Sequence, residues 1–147
     1  MHYNDISYSL DHGIGRITLN KPEKMNALSW GSWAELENAI AAADADDSVK
    51  VVLLTGAGRG FCAGTDLTTG TKESDWPARP LGGRPGMMRS RYLGTANLYH
   101  CGKPTIAAVN GASVGAGFSL AMACDIRVAS EAARFSAIFV KRAIVAD

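Results

Sequence analysis

The stretch Leu53-Leu54-Thr55-Gly56-Ala57-Gly58-Arg59-Gly60-Phe61-Cys62-Ala63-Gly64-Thr65-Asp66-Leu67 decides how this chain folds. It is an apolar run that drives into a glycine turn. From Val49 to Thr55 the run is nearly all apolar, and a short unbroken run of this kind predicts a strand covered on both faces. Four glycines in the nine positions 56–64 call for positive φ or close backbone approach. The same grammar returns downstream. Lys103-Pro104 opens a second buried strand, Thr105 to Val109, which runs into Asn110-Gly111-Ala112-Ser113-Val114-Gly115-Ala116-Gly117. A small-residue helix from Phe118 to Ala123 and a strand from Asp125 to Ala129 are predicted next, then a short strand or turn over 134–140.

A buried strand thus leads twice through glycines into a helix start. Glycine lets the backbone approach a ligand, and a helix start offers unpaired N–H donors at the positive end of a dipole. Two such turns facing one another would aim two backbone N–H groups at one point, which is how an oxyanion hole is built. The plain alternative is two tight turns with glycine for packing. Nucleotide motifs fit less well. Gly56 to Gly60 follows a strand but lacks the Gly-Lys-Ser/Thr ending of a phosphate loop. The spacing Gly111, Gly115, Gly117 resembles that of some dinucleotide-binding dehydrogenases, but only 30 residues follow and no convincing acidic strand end lies about 20 positions on.

Working outward, Asp11-His12-Gly13 between residues 3–10 and 14–19 predicts a two-stranded hairpin. Pro22 breaks the second strand. Ser29 is a predicted N-cap, and Trp30, Trp33, Leu36, Ile40 and Ala43 after it share one helical face, so both tryptophans are expected in a core. Residues 68–86 hold three prolines and four glycines without any period and read as a variable, flexible insert. Residues 87–100 are predicted helical.

The chain of 147 residues is one domain's worth, 1–147, with 47% hydrophobic and 20% charged residues, the composition of a globular protein. A net charge of +1 removes the case for nucleic-acid binding by bulk charge. No apolar run approaches the ~20 residues of a membrane span, and the first residues lack the features of a signal peptide. The three cysteines, Cys62, Cys101 and Cys124, form no CxxC pair, and the three histidines form no ligand pair, so neither a disulfide framework nor a metal site is expected. A reducing, cytoplasmic setting follows as the expectation. Cys62 and Cys124 are expected to be core residues rather than nucleophiles.

Three blocks carry a family resemblance: Asn20-Lys21-Pro22-Glu23-Lys24-Met25-Asn26-Ala27-Leu28; Leu53 to Leu67; and Lys103 to Gly111 with Gly115-Ala116-Gly117 and Ala123-Cys124-Asp125-Ile126-Arg127. Their order and spacing resemble the crotonase superfamily, the enoyl-CoA hydratase/isomerase family, over nearly the whole chain. The resemblance implies an α/β fold, a crotonase-like spiral of repeated ββα units. It implies a parent of about a hundred further residues, so that the chain reads as truncated at its C-terminus. It implies trimers or dimers of trimers, and an acyl-CoA thioester as substrate, with coenzyme A entering as part of that substrate and no separate cofactor.

By the same resemblance, Thr65 and Ala116 give the two N–H groups that hold the thioester oxygen. Ala63 and Asp66, Leu67 and Thr68 line the CoA path, and Lys24 and Ala27 lie toward its nucleotide end. Lys24 is expected either to meet a phosphate or to stand in solvent. The hydratases place glutamates at the positions of Ser119 and Phe139, so hydratase chemistry is put in doubt and double-bond isomerisation is favoured. Ser119 is a candidate substrate contact. Asp147, eight residues past Phe139, is the candidate proton carrier, as in dienoyl-CoA and oxepin-type isomerases. Aryl-CoA dehalogenases, which use a matching aspartate as nucleophile and tend to carry an aromatic residue at the Phe139 position, are a related possibility. The reading from another class is a truncated, non-catalytic fragment or assembly module.

Overall fold

A computed structural model describes residues 2–68 and 94–142. Most of the 68–86 insert, the first part of the predicted 87–100 helix and Asp147 lie outside the described residues. Eight strands are present: β1 Ile6–Asp11, β2 Ile14–Leu19, β3 Val51–Gly56, β4 Gly60–Cys62, β5 Thr105–Val109, β6 Ala112–Val114, β7 Ile126–Ala129 and β8 Arg134–Ser136. Helix α1 is Trp30–Ala45 and helix α2 is Ala116–Ala123. Residues 94–99 are also helical, and a 3-10 turn covers Ile138–Arg142.

The strands form two sheets, one of order β1-β2-β3-β5-β7 and a smaller one of order β4-β6-β8. Among the described residues only the β1-β2 hairpin is antiparallel; the other pairs are parallel. From β3 onward the first strand of each pair joins the large sheet and the second joins the small one. The chain therefore advances one strand along both sheets at each turn, which is a spiral of strand-strand-helix units. The sequence reading took β4 and β6 for parts of glycine turns, and they are three-residue strands. Their pairing is with each other, and a propensity read along the chain does not report a non-local partner.

Register explains the core. Ile17 pairs with Leu54 and Leu54 with Ala107, so one row across the sheet is fully buried. Leu36, Ile40 and Trp33 of α1 belong to the same buried cluster. β3 alternates buried and half-buried residues rather than being covered on both faces as its sequence suggested. The α1 start is built as expected. Ser29 Oγ accepts from Ser32 N–H and Ser32 Oγ accepts from Ser29 N–H, each at 3.1 Å, a reciprocal cap. Trp33 is core, but Trp30 is only half-buried; Ser32 and Ala39 complete the inner face instead. Among the described residues no helix is long and apolar enough to cross a membrane.

Candidate active site

β4 and β6 pair in parallel, Gly60 with Ala112 and Cys62 with Ser113, and this brings the two glycine turns side by side. Their contact is main chain on main chain. A Cβ on Gly117 would stand 2.2 Å from Cys62 O, and one on Gly64 would stand 2.9 Å from Val114 O and 3.4 Å from Ala116 N. Hydrogen is the side chain that fits. Gly64 at φ +99° and Gly115 at φ +56° also hold backbone conformations that L side chains rarely adopt. The Gly64 turn thus packs against the main chain at the start of α2.

Thr65 forms an isolated parallel bridge with Leu28. Leu28 N–H donates to Gly64 O at 2.8 Å, and Asp66 N–H donates to Leu28 O at 2.9 Å. In that pattern the neighbours of Thr65 make the bonds, so its own N–H faces away from Leu28. Ala116 is the first residue of α2, and its N–H has no intrahelical partner. Neither N–H finds an acceptor among the described residues.

Two asparagines buttress the first turn, and sequence reasoning missed their part. Asn26 is buried at φ +56°, accepts from Lys21 N–H, and donates to Ala57 O and Gly60 O. Asn110 Nδ2 donates to Gly58 O and Gly60 O. The available signal was asparagine itself, which tolerates positive φ and bonds to nearby backbone.

The remaining candidates fall into two groups. Ala63, Thr65, Asp66, Leu67 and Thr68 follow β4; Lys24 and Ala27 lie on the loop that pairs with them. Ala63 N–H donates to Met25 O at 2.9 Å, and Ala27 N–H to Lys24 O at 3.1 Å. Lys24 Nζ lies 3.0 Å from Asp66 Oδ2. Asp66 is buried, and Oδ1 accepts from Thr68 N–H and Oγ1. The Thr68 hydroxyl first, then the Thr68 amide and Lys24, outweigh burial and hold this carboxyl at about 2. Leu67 is exposed.

Ser119 lies one turn beyond Ala116 on the same side of α2. It lines a cavity of about 490 Å³ that Phe139, Phe118, Tyr99 and Met122 also line. Ser119 and Phe139, distant in sequence, thus face one space. The described residues lining it include no carboxylate. Cys62 and Cys124 are buried, and burial pushes both thiols up to about 12, so neither is a thiolate at neutral pH. Among the described residues no group of His, Cys, Asp and Glu is placed to hold a metal.

Comparison with known proteins identifies the family. The family profile described as enoyl-CoA hydratase/isomerase matches residues 9–147. A probable enoyl-CoA hydratase of Mycobacterium tuberculosis is 43% identical over 140 residues, covering 95% of this chain and 52% of the relative. A 1,2-epoxyphenylacetyl-CoA isomerase of Escherichia coli is 37% identical, covering 94% of this chain and 52% of the relative. A crystal structure of an enoyl-CoA hydratase/isomerase from Xanthobacter autotrophicus superposes with a TM-score of 0.79 at 42% identity, covering 91% of this chain and 49% of that one. The chain spans about half the length of these relatives.

Proposed function

The chain belongs to the enoyl-CoA hydratase/isomerase family, and from that premise we propose that it processes acyl-CoA thioesters by holding the thioester oxygen between the N–H groups of Thr65 and Ala116. Removal of the α-proton turns the thioester into an enolate, and the negative charge collects on that oxygen. Two fixed donors meet this charge without reorganising. The observation that supports the reading is the pair of unpartnered N–H groups on two glycine turns packed main chain to main chain. Coenzyme A arrives as part of the substrate, along Ala63 and residues 66–68, and no separate cofactor is invoked.

Within this class we favour double-bond isomerisation over hydration. Adding water needs a base for the water and an acid for the carbon. The two positions where the family resemblance places glutamates hold Ser119 and Phe139. Isomerisation needs one group that takes a proton from one carbon and returns it to another, and Asp147 is the candidate. The relative named as a 1,2-epoxyphenylacetyl-CoA isomerase lends weight to this choice. A homotrimer or hexamer in the cytoplasm is the assembly that goes with it.

The test is exchange of an acyl-CoA α-proton with deuterium. Ala116→Pro deletes one donor while keeping a residue that helix first positions accept. Exchange should fall about a hundredfold to a thousandfold, the usual cost of one oxyanion donor. Unchanged exchange in a folded Ala116→Pro protein rules the donor out. Asp147→Asn should lose exchange while still binding CoA.

A further inference from the structure

We infer that the cavity beside Ser119 selects an acyl group that carries an aromatic ring. The inference rests on the thioester reading above and names the substrate class of that site. Four of the residues lining the cavity are rings: Tyr99, His100, Phe118 and Phe139. Tyr99 and His100 come from the helical segment that precedes β5, Phe118 from α2, and Phe139 from the 3-10 turn after β8. Three separate elements thus turn rings toward one space of about 490 Å³, within the ordinary size of a small-molecule pocket.

Three of these rings make edge-to-face contacts. Tyr99 meets His100 edge to face, with centroids 5.1 Å apart and planes at 81°. Phe118 meets Phe135 at 6.5 Å and 77°, so one side of its ring is fixed by a residue outside the cavity lining. Tyr99 leaves 73% of its surface exposed, a large apolar area awaiting a contact. Met122 adds a polarisable sulfur on the same wall, a group that pairs well with ring edges. An alkyl chain entering this space gains from area alone. A ring of equal carbon count buries less area but gains edge-to-face or offset contacts with the rings that line the space. Ser119 of the cavity lining lies one helical turn from Ala116, so an acyl group whose oxygen sits at the two donors would extend toward this space.

The experiment is calorimetric binding of phenylacetyl-CoA, octanoyl-CoA and CoA itself to the intact protein. The two thioesters carry acyl groups of equal carbon count. Tyr99→Leu and Phe118→Leu should each weaken phenylacetyl-CoA relative to octanoyl-CoA by about threefold to tenfold while CoA affinity stays level, and the difference in area between the two acyl groups cancels in that comparison. Tyr99 is largely exposed, so Tyr99→Leu keeps the test decisive if Phe118→Leu fails to fold. A ratio that the folded variants leave unchanged, together with normal CoA binding, overturns the inference and leaves the thioester reading standing. Failure of CoA and both thioesters to bind overturns the two together.

Discussion

One carboxylate, that of Asp66, fastens the loop after Pro22 to the turn that carries Thr65. It accepts from the Thr68 hydroxyl and amide and pairs with Lys24. With its folded value near 2 and its ordinary value at 3.8, Asp66 stabilises the fold fully above about pH 4. That contribution is lost as pH falls toward about 2, because protonation then favours the unfolded chain. Urea midpoints measured from neutral pH down to about pH 2 should show this loss. Asp66→Asn should flatten that part of the curve, and an unchanged curve would remove Asp66 from the acid response. The cysteines give a second test at this scale. With Cys62 and Cys124 buried and Cys101 half-buried, a disulfide reagent should titrate Cys101 first. The other two should react only on denaturation. The inert, buried state of Cys62 and Cys124 was legible in the sequence, since a free cysteine in an apolar run is usually core. The Lys24–Asp66 pair was not, because the two residues are 42 positions apart and meet only through the Leu28–Thr65 bridge.

Among elements, two glycines of the second turn separate two kinds of requirement. Gly117 needs space: its Cβ would strike Cys62 O. Gly115 has open space around it but needs its positive φ. Gly117→Ala should therefore cost about 1–3 kcal/mol by overpacking. Gly115→Ala should cost a similar amount, about 1–3 kcal/mol, by backbone strain. Combining Gly117→Ala with Cys62→Ala should leave the first cost in place, because the clash is with a main-chain oxygen. Denaturation midpoints of the single and double variants check this. Legibility also differed among elements. The β1-β2 hairpin, β5 and the capped start of α1 are written in local signals: a turn residue pair, a β-branched run, a serine before a helical stripe. β4 and β6 carry no such signal. Gly60–Cys62 and Ala112–Val114 become strands because β6 pairs with β4 on one side and with β8 on the other.

Among the described residues, β7 is the outer strand of the large sheet, and its residues are all exposed. Ile126 is 52% and Val128 is 60% exposed, and an apolar open edge is a template for pairing with other chains. The 147-residue chain in isolation should therefore self-associate, with scattering that rises with concentration. Val128→Lys should reduce that scattering, as charged residues blunt natural edges. A chain that stays monomeric with or without the lysine would show the edge to be protected.

By itself the sequence determined the family, the β1-β2 hairpin, α1, β3, β5, α2 and β7, and the two glycine turns. These follow from local chemistry: apolar runs, caps, and glycines where no Cβ is tolerated. Tertiary structure alone decided that β4 and β6 lie side by side, that Asn26 and Asn110 both hold Gly60, and that Ser119 and Phe139 face one ring-lined space. Each of these depends on contacts between residues far apart in the chain. The packing of main chain on main chain, which no single residue's preference encodes, brings them together.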